Sequence, residues 1–350
     1  MKRMGKVWMS PKYSPTNKYN DLFSTCIENE GYVVDDFNKS DFFSLKSNDI
    51  LHIHWFHPYY QSRIRLIFLI KSLIVIICLT YLRLKNVRVV WTFHNLYPHN
   101  YKFKHLEKWV RRKILRSCSV VTVAAESIKE SLIKEFGIDE GKVHLVHHGH
   151  YKGKYPQQNI DYRKKYNISN DKFIYLFVGA IKPYKGVDLL VEEFLKLEQE
   201  NVHLIIAGKV YNGMEGIIED LRGIQNITFD LRFIPDEEIV DLIESSDIVV
   251  LPYKNITTSG TAILACSLHK PIICPETPFM MEYFNEHIAY LYNNQSSTGF
   301  LMTMKKAFRD KDNYINNTSY FVEFTNKLEW DLIGKKMKSL YNNIYMKSIK

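Results

Sequence analysis

Short apolar runs bounded by turn residues alternate along the chain with stretches in which apolar side chains return every three or four positions. The runs read as buried strands and the periodic stretches as helices with one covered face. In the first half the pattern predicts strands over 6–9, 32–35, 50–55, 87–93, 120–124 and 143–147, and helices over 18–29, 103–116 and 126–136. A loop rich in Gly, Pro and Gln covers 149–159. The pattern then restarts with strands over 173–178, 203–207, 227–229, 247–251 and 271–274, separated by helices over 186–200, 215–222, 236–245 and 261–269. Val187, Leu190, Val191, Phe194 and Leu197 give the first of these helices one apolar face, and Trp330, Ile333, Met337 and Leu340 do the same for a terminal helix over 328–341.

Strands alternating with helices are the α/β signature, and no internal repeat competes with it. A chain of 350 residues suits two domains of about 150 to 180 residues each. The expected architecture is therefore two successive doubly wound, Rossmann-like sheets. Ligands of such sheets sit at the carboxyl ends of the strands, so the expected site is the cleft between the domains.

One stretch departs from the alternation. Residues 66–82 form a mostly apolar run with Lys71 as the only charge, and Arg63, Arg65, Arg83 and Lys85 lie on its flanks. Seventeen residues are at the short end for a membrane span. A span would also divide the strands on its two sides between opposite faces of a bilayer. The favoured reading is a very apolar helix packed on the sheet, with a membrane-surface contact compatible with its basic flanks.

Composition narrows the class. At 46% hydrophobic and 24% charged the chain is globular. Its five cysteines are widely separated and form no C-x-x-C pair, which argues against a disulfide scaffold or zinc ribbon and for a reducing compartment. The basic start is not followed by an apolar run before Pro11, so no secretory signal is expected there. Residues 1–150 hold 23 Lys and Arg against 13 Asp and Glu, while residues 151–350 hold 24 against 25. The whole excess of +9 therefore lies in the first half, where it would attract the phosphates of a nucleotide, a nucleic acid or an anionic membrane.

The chemistry concentrates at two strand ends. The first is the segment from Phe177 to Leu190, in which Gly179 and Gly186 frame a loop carrying Lys182 and Lys185 between a buried strand and a helix. The second runs from Leu251 to Ala262, where Tyr253 precedes Thr258, Ser259, Gly260 and Thr261 at another helix start. Backbone N–H groups and the positive end of a helix favour an anion at each place, and a diphosphate held from both sides is the natural occupant.

With these two loops the sequence resembles the GT-B glycosyltransferases, and glycosyltransferase family 4 most. The likeness covers nearly the whole chain. It includes the turn at Gly208 and Lys209, and the stretch Phe233-Ile234-Pro235-Asp236-Glu237-Glu238. In the first half it includes 49–55 and 91–99, together with the opening loop 17–23, as in a subset that builds bacterial polysaccharides. The resemblance implies an acceptor-side domain over 1–152, a nucleotide-sugar domain over 153–326, and a helix over 327–350 packing back toward the first domain. It implies that Lys182 and Lys185 stabilise the leaving diphosphate and that His94 faces the transferred sugar. It further implies a donor pocket of Gly179, Gly208, Lys209, Phe233, Ile234, Glu238, Tyr253, Thr258, Ser259, Gly260 and Thr261. Asn17, Tyr19, His54 and Trp55 would line the acceptor side. Two departures stand out. Family members commonly carry a Glu-x7-Glu pair around the second loop, where this chain has Ser259-Gly260 and Leu264. The Arg that often follows the first loop's glycine is Ala180, which leaves Lys182 to supply the charge as a point cation.

The implied activity is transfer of a hexose, with retention, from a nucleotide-diphosphate sugar to a lipid-linked glycan during surface polysaccharide assembly. The enzyme would be cytoplasmic and peripheral on the inner face of the membrane, with no metal, cofactor or nucleic-acid partner. His52 and His54 share one face of a strand without a paired carboxylate or cysteine, and the segment 146–151, with His147, His148 and His150, resembles the family's turn after the first domain's last strand, so neither histidine group is expected to bind metal. Two alternatives stay open on the sequence. One is a non-catalytic membrane-surface or nucleic-acid binder using the basic first half, and the other is a nucleotide-sugar epimerase on the same fold.

Overall fold

The computed structural model describes residues 5–346 apart from 16, 99–100, 212, 215, 217–222 and 312–317. The chain divides into two units, Met1–Gly149 with Leu328–Lys350, and His150–Lys327. Each is built on a six-stranded, wholly parallel sheet.

In the first unit the strands are β1 (Val7–Ser10), β2 (Val34–Asp36), β3 (Ile50–Ile53), β4 (Arg88–Thr92), β5 (Val120–Val123) and β6 (Val143–Leu145), in the order β2-β1-β3-β4-β5-β6. All residues of β3 and β5 are buried, as expected of parallel strands covered on both faces. The helix Lys18–Asn29 starts where the Asn17 side chain accepts from the Tyr19 N–H, and it buries Tyr19, Phe23, Cys26 and Ile27. The last helix, Trp330–Met346, packs on it. Its Trp330, Ile333, Met337, Leu340 and Tyr341 join that core, and Lys338 pairs with Glu30 at 2.9 Å.

The second unit contains β7 (Phe173–Val178), β8 (Val202–Ala207), β9 (Ile227–Asp230), β10 (Ile248–Val250), β11 (Ile272–Pro275) and β12 (Ala289–Tyr292), ordered β12-β11-β10-β7-β8-β9. Strand order therefore reverses between β7 and β10. In the first unit it reverses between β1 and β3.

The observed elements correct several expectations. The helix expected over 186–200 is Val187–Leu195, because Glu198 takes a left-handed backbone with φ of 51° and ends it early. The strand β12 and the helices Pro278–Tyr283, Gly299–Arg309 and Thr318–Lys327 were not expected from the pattern. The helix expected over 215–222 falls almost wholly outside the described residues.

The apolar stretch forms the helix Arg65–Leu84. It connects β3 to β4, which pair directly in one sheet. Phe68, Ser72, Leu79 and Leu82 face inward, whereas Leu66, Ile70, Leu73, Ile74, Ile77 and Leu84 are exposed. Its length and mean hydropathy of 2.2 would suit a span, and the buried stripe is narrower than a packed core helix presents.

Candidate active-site groups in each unit

In the second unit the loops leaving β7 and β10 lie side by side at the point where strand order reverses. That is where doubly wound sheets open a crevice for ligands. The Lys254 N–H donates to the Tyr184 carbonyl at 2.9 Å. Gly186 has φ of 71°, and a Cβ there would lie 1.9 Å from the Pro252 carbonyl oxygen. The two loops therefore touch only because residue 186 has no side chain. A second close approach joins the β8 turn to the first loop, since a Cβ on Gly208 would lie 1.8 Å from the Gly179 oxygen.

These contacts gather the cations. The Lys185 ammonium lies 4.1 Å from the Tyr253 ring centroid and 5.6 Å from that of Tyr184. Lys182 and Lys209 both lie over Tyr211, at 4.5 and 5.8 Å. Aromatic faces hold ammonium groups in place without neutralising them. Lys254 is differently placed, since it pairs with Asp188 at 2.5 Å.

Ser259 caps the helix Gly260–Ser267 by accepting from the Ala262 N–H at 3.2 Å, and its oxygen also meets the Tyr253 hydroxyl at 3.1 Å. Its hydroxyl thus has two partners within the protein. The first-turn N–H groups of Gly260 and Thr261, flanked by Thr258, are the donors that a helix start leaves without intrahelical acceptors. The buried Tyr151 is a neighbour that sequence reasoning missed: a Cβ on Gly260 would lie 3.5 Å from its hydroxyl.

Three expected donor residues lie past β9. Phe233 is exposed and Ile234 buried. Glu238, in the first turn of the helix Asp236–Glu244, is bound by Arg232 and by the Tyr162 hydroxyl, with Lys165 at 3.5 Å. Arg232 holds its carboxyl down at about 2. Arg232 also pairs with Asp230 at 2.9 Å. Glu238 is therefore a member of an ion-pair network, a role its position in the sequence did not disclose.

In the first unit Tyr19, His54, Trp55 and His94 form one cluster at the carboxyl ends of β3 and β4, and Asn17 adjoins it through the cap bond it accepts from the Tyr19 N–H. Trp55 stacks on His94 with ring centroids 4.8 Å apart and planes 22° from parallel. His54 Nδ1 faces His94 Nε2 at 3.3 Å, so one ring supplies the proton and the other the lone pair. Tyr19 packs edge-on against both rings, at 5.6 and 5.4 Å. The buried His54 Nε2 has no hydrogen-bond partner.

Deeper in the sheet, His52 accepts or donates between the Tyr341 hydroxyl at 2.6 Å and Thr92 Oγ1 at 2.7 Å, and Thr92 continues to Thr122 at 2.8 Å. Burial pushes the imidazoles of His54 and His94 well below the usual histidine range, that of His52 to about 3 and that of His148 to about 4. The cluster is therefore neutral at pH 7 and offers polar atoms rather than charge. His148, 4.4 Å from Tyr19 between ring centroids, belongs to it although it was not among the expected site residues. Its place beside His147 in the sequence was a signal, but only for metal binding.

The His94 loop has its own support. Glu107 and Arg111, one helical turn apart and buried, pair at 2.9 Å, and Arg111 donates to the Asn95 carbonyl at 2.9 Å.

Two family models match the chain: "Glycosyltransferase Family 4" over residues 43–150 and "Glycosyl transferases group 1" over residues 158–321. Among curated relatives, an uncharacterized glycosyltransferase of Methanocaldococcus jannaschii is 25% identical over 259 residues, covering 70% of this chain and 65% of the relative. The GDP-mannose:glycolipid 4-beta-D-mannosyltransferase of Xanthomonas campestris is 25% identical over 233 residues, covering 66% and 62%. The chain thus spans somewhat less than two thirds of the length of these relatives. The crystal structure of Anabaena HepE in complex with UDP shares the fold, with a TM-score of 0.74, 12% identity, and coverage of 97% of this chain and 100% of that one.

Proposed function

Because the chain belongs to the GT-B glycosyltransferases of family 4 type, we propose that it transfers a sugar from a nucleoside-diphosphate sugar to a lipid-linked glycan, with retention of anomeric configuration. The observation that carries this reading is the contact between the β7 and β10 loops, with Lys185 fixed over Tyr253 beside the start of the helix Gly260–Ser267. A diphosphate placed there meets Lys185, held by an aromatic face, and N–H donors aligned with a helix dipole, with Lys182 on the same loop.

The chemistry asked of these residues is electrostatic. As the glycosidic C–O bond breaks, the negative charge moving onto the diphosphate is met by Lys185 and Lys182 and by the Gly260 and Thr261 N–H groups. Lys185 and Lys182 are already held by aromatic faces and the N–H groups by the helix start, which lowers the reorganisation the step requires. The acceptor hydroxyl loses its proton to the departing phosphate oxygen as its own oxygen bonds the anomeric carbon on the same face, which gives retention. His94, neutral and braced by Trp55 and His54, hydrogen-bonds the donor sugar rather than acting as an acid. Asn17, Tyr19, His54 and Trp55 belong to the acceptor side. The exposed apolar face of the helix Arg65–Leu84, with Arg63, Arg65, Lys71, Arg83 and Lys85 around it, fits peripheral attachment to the anionic inner face of the cytoplasmic membrane.

The Xanthomonas relative's name gives GDP-mannose and a glycolipid as its substrates, and HepE was crystallised with UDP. Both support a nucleotide-sugar donor and a lipid-borne acceptor for this chain. The test is turnover of a nucleotide-sugar panel with alkyl-diphosphate-linked sugars as acceptors, the product anomer being read by NMR. Transfer with the donor's own anomeric configuration is expected. Inverted product would overturn the stereochemical part, and conversion of the donor without any acceptor would favour an epimerase.

A further inference from the structure

Behind the helix Arg65–Leu84 lies a cavity of about 480 Å³, within the range of small-molecule sites. Leu51 and Ile53 of β3 form its floor, Ile74, Cys78 and Leu79 one wall, and Phe42 with Phe43 the other. No acidic residue lines it. Its polar groups are Lys39, Lys71 and Tyr59, and their placement is not random. The helix runs antiparallel to the strands it connects, so Lys71, near its start, lies toward the carboxyl ends of the sheet. Lys39 follows the end of β2, and the Tyr59 hydroxyl meets Ser10 Oγ, at the end of β1, at 2.5 Å. The cationic end of the cavity therefore faces the side of the unit that carries Trp55 and His94. Its apolar end, toward Leu82, lies beside the aromatic group Phe42, Phe43 and Tyr81, whose rings are within 6.3 Å of one another. Ile74 both lines the cavity and belongs to the exposed apolar face, which makes the two surfaces continuous.

We infer that this cavity binds the aliphatic chain of a phosphate-bearing lipid, with Lys39 and Lys71 on the phosphate and the chain running along the helix toward Phe42 and Phe43. The inference rests on the reading of the acceptor as lipid-linked and names the site of its lipid. The charge of the lining selects an anionic headgroup, its volume of about 480 Å³ suits a single chain, and its polarity sets the direction. A lipid seated this way presents whatever its phosphate carries to the Trp55–His94 cluster, while its tail leaves the membrane only as far as the helix.

The test uses the full chain with octyl, decyl and dodecyl phosphate below their micelle concentrations, and with dodecanol and inorganic phosphate, followed by calorimetry. Each added methylene should tighten binding about fourfold until the cavity is filled. The Lys39→Gln/Lys71→Gln variant should lose at least tenfold for dodecyl phosphate and nothing for dodecanol. Cys78→Phe, which projects a ring into the cavity from a partly exposed position, should abolish the chain-length dependence while unfolding at the wild-type midpoint. Affinity independent of chain length, or a chain-length dependence retained in Cys78→Phe, would overturn the inference in favour of simple surface contact with membrane. Nucleotide binding measured on the same samples separates the two readings. If nucleotides bind and alkyl phosphates do not, only the lipid site fails. If alkyl phosphates bind and no nucleotide does, the transferase reading fails instead.

Discussion

Replacing Arg111 by Met tests how the His94 loop is held. Arg111 and Glu107 are 3% and 1% exposed, paired at 2.9 Å. Tyr60 donates to the same Glu107 oxygen at 2.5 Å, and Arg111 lies 5.6 Å from the ring centroids of both Trp91 and Phe93. Removing the guanidinium leaves the carboxylate buried with one neutral donor and releases the Asn95 carbonyl. Breaking one side of a buried pair costs about 3 to 5 kcal/mol. With a urea slope of about 2 kcal/mol per M, the midpoint should fall by about 1.5 to 2.5 M. The assay is specific, because all five tryptophans, Trp8, Trp55, Trp91, Trp109 and Trp330, belong to the first unit. Tryptophan fluorescence therefore follows that unit alone. A Tyr60→Phe/Glu107→Leu/Arg111→Met variant, with no buried charge left to desolvate, should recover most of the loss. A loss below about 1 kcal/mol in Arg111→Met would refute the reasoning, since it would mean that the pair is solvated and worth no more than a surface contact.

Gly186→Ala should weaken nucleotide-sugar binding at least tenfold, because its Cβ would strike the Pro252 carbonyl and a non-glycine φ of 71° adds about 1 to 2 kcal/mol of strain; calorimetry showing wild-type affinity would contradict the loop contact. The first unit should lose stability as the pH is lowered. His52 and His148 are depressed to about 3 and about 4 by burial, so below their unfolded value near 6.5 only the unfolded chain takes the protons, and each costs about 1.4 kcal/mol per pH unit until its folded value is reached. Urea melts followed by tryptophan fluorescence between pH 7.5 and 5 check this, and a flat profile would be inconsistent with neutral buried rings. Leu73→Glu with Ile77→Glu, both on exposed positions of the apolar helix, should reduce sedimentation with anionic vesicles by tenfold or more and leave the urea midpoint unchanged. Undiminished vesicle binding would place the membrane contact elsewhere.

Most of the fold was legible because buried parallel strands such as Phe173–Val178 are continuous apolar runs and their crossover helices carry clean periodic faces. Strand β12 was not, since Ala289 and Tyr292 are its buried ends and the middle residues are only half covered. The early stop of the helix Val187–Leu195 was hidden because Leu197, which continues its apolar spacing, packs into the core from beyond the last turn. The loops after β7 and β10 could be picked out from glycines and lysines at strand ends, and the structure brings them into contact. What could not be read was how side chains share partners. Ser259 looks like a free hydroxyl donor in sequence, but the N-cap and Tyr253 occupy it. Glu238 looks like a ligand carboxylate, but Arg232, brought near by the turn after β9, claims it. The Glu107–Arg111 pair was not singled out in the sequence, where i,i+4 charge pairs on a helix are common and mostly exposed. Its burial depended on Tyr60 and Trp91, which come from other segments.

The central claim is that the β7 and β10 loops hold a nucleoside diphosphate through Lys185. The most direct measurement is thermal unfolding of the wild-type chain and of Lys185→Ala against UDP, GDP, ADP, CMP and their sugar conjugates. A ligand that binds only the folded state at about 100 times its dissociation constant adds about 2.7 kcal/mol. One base should therefore raise the midpoint of the wild-type chain and leave Lys185→Ala, itself folded, unmoved. No rise with any nucleotide at saturating concentration, or an equal rise in Lys185→Ala, would contradict the account.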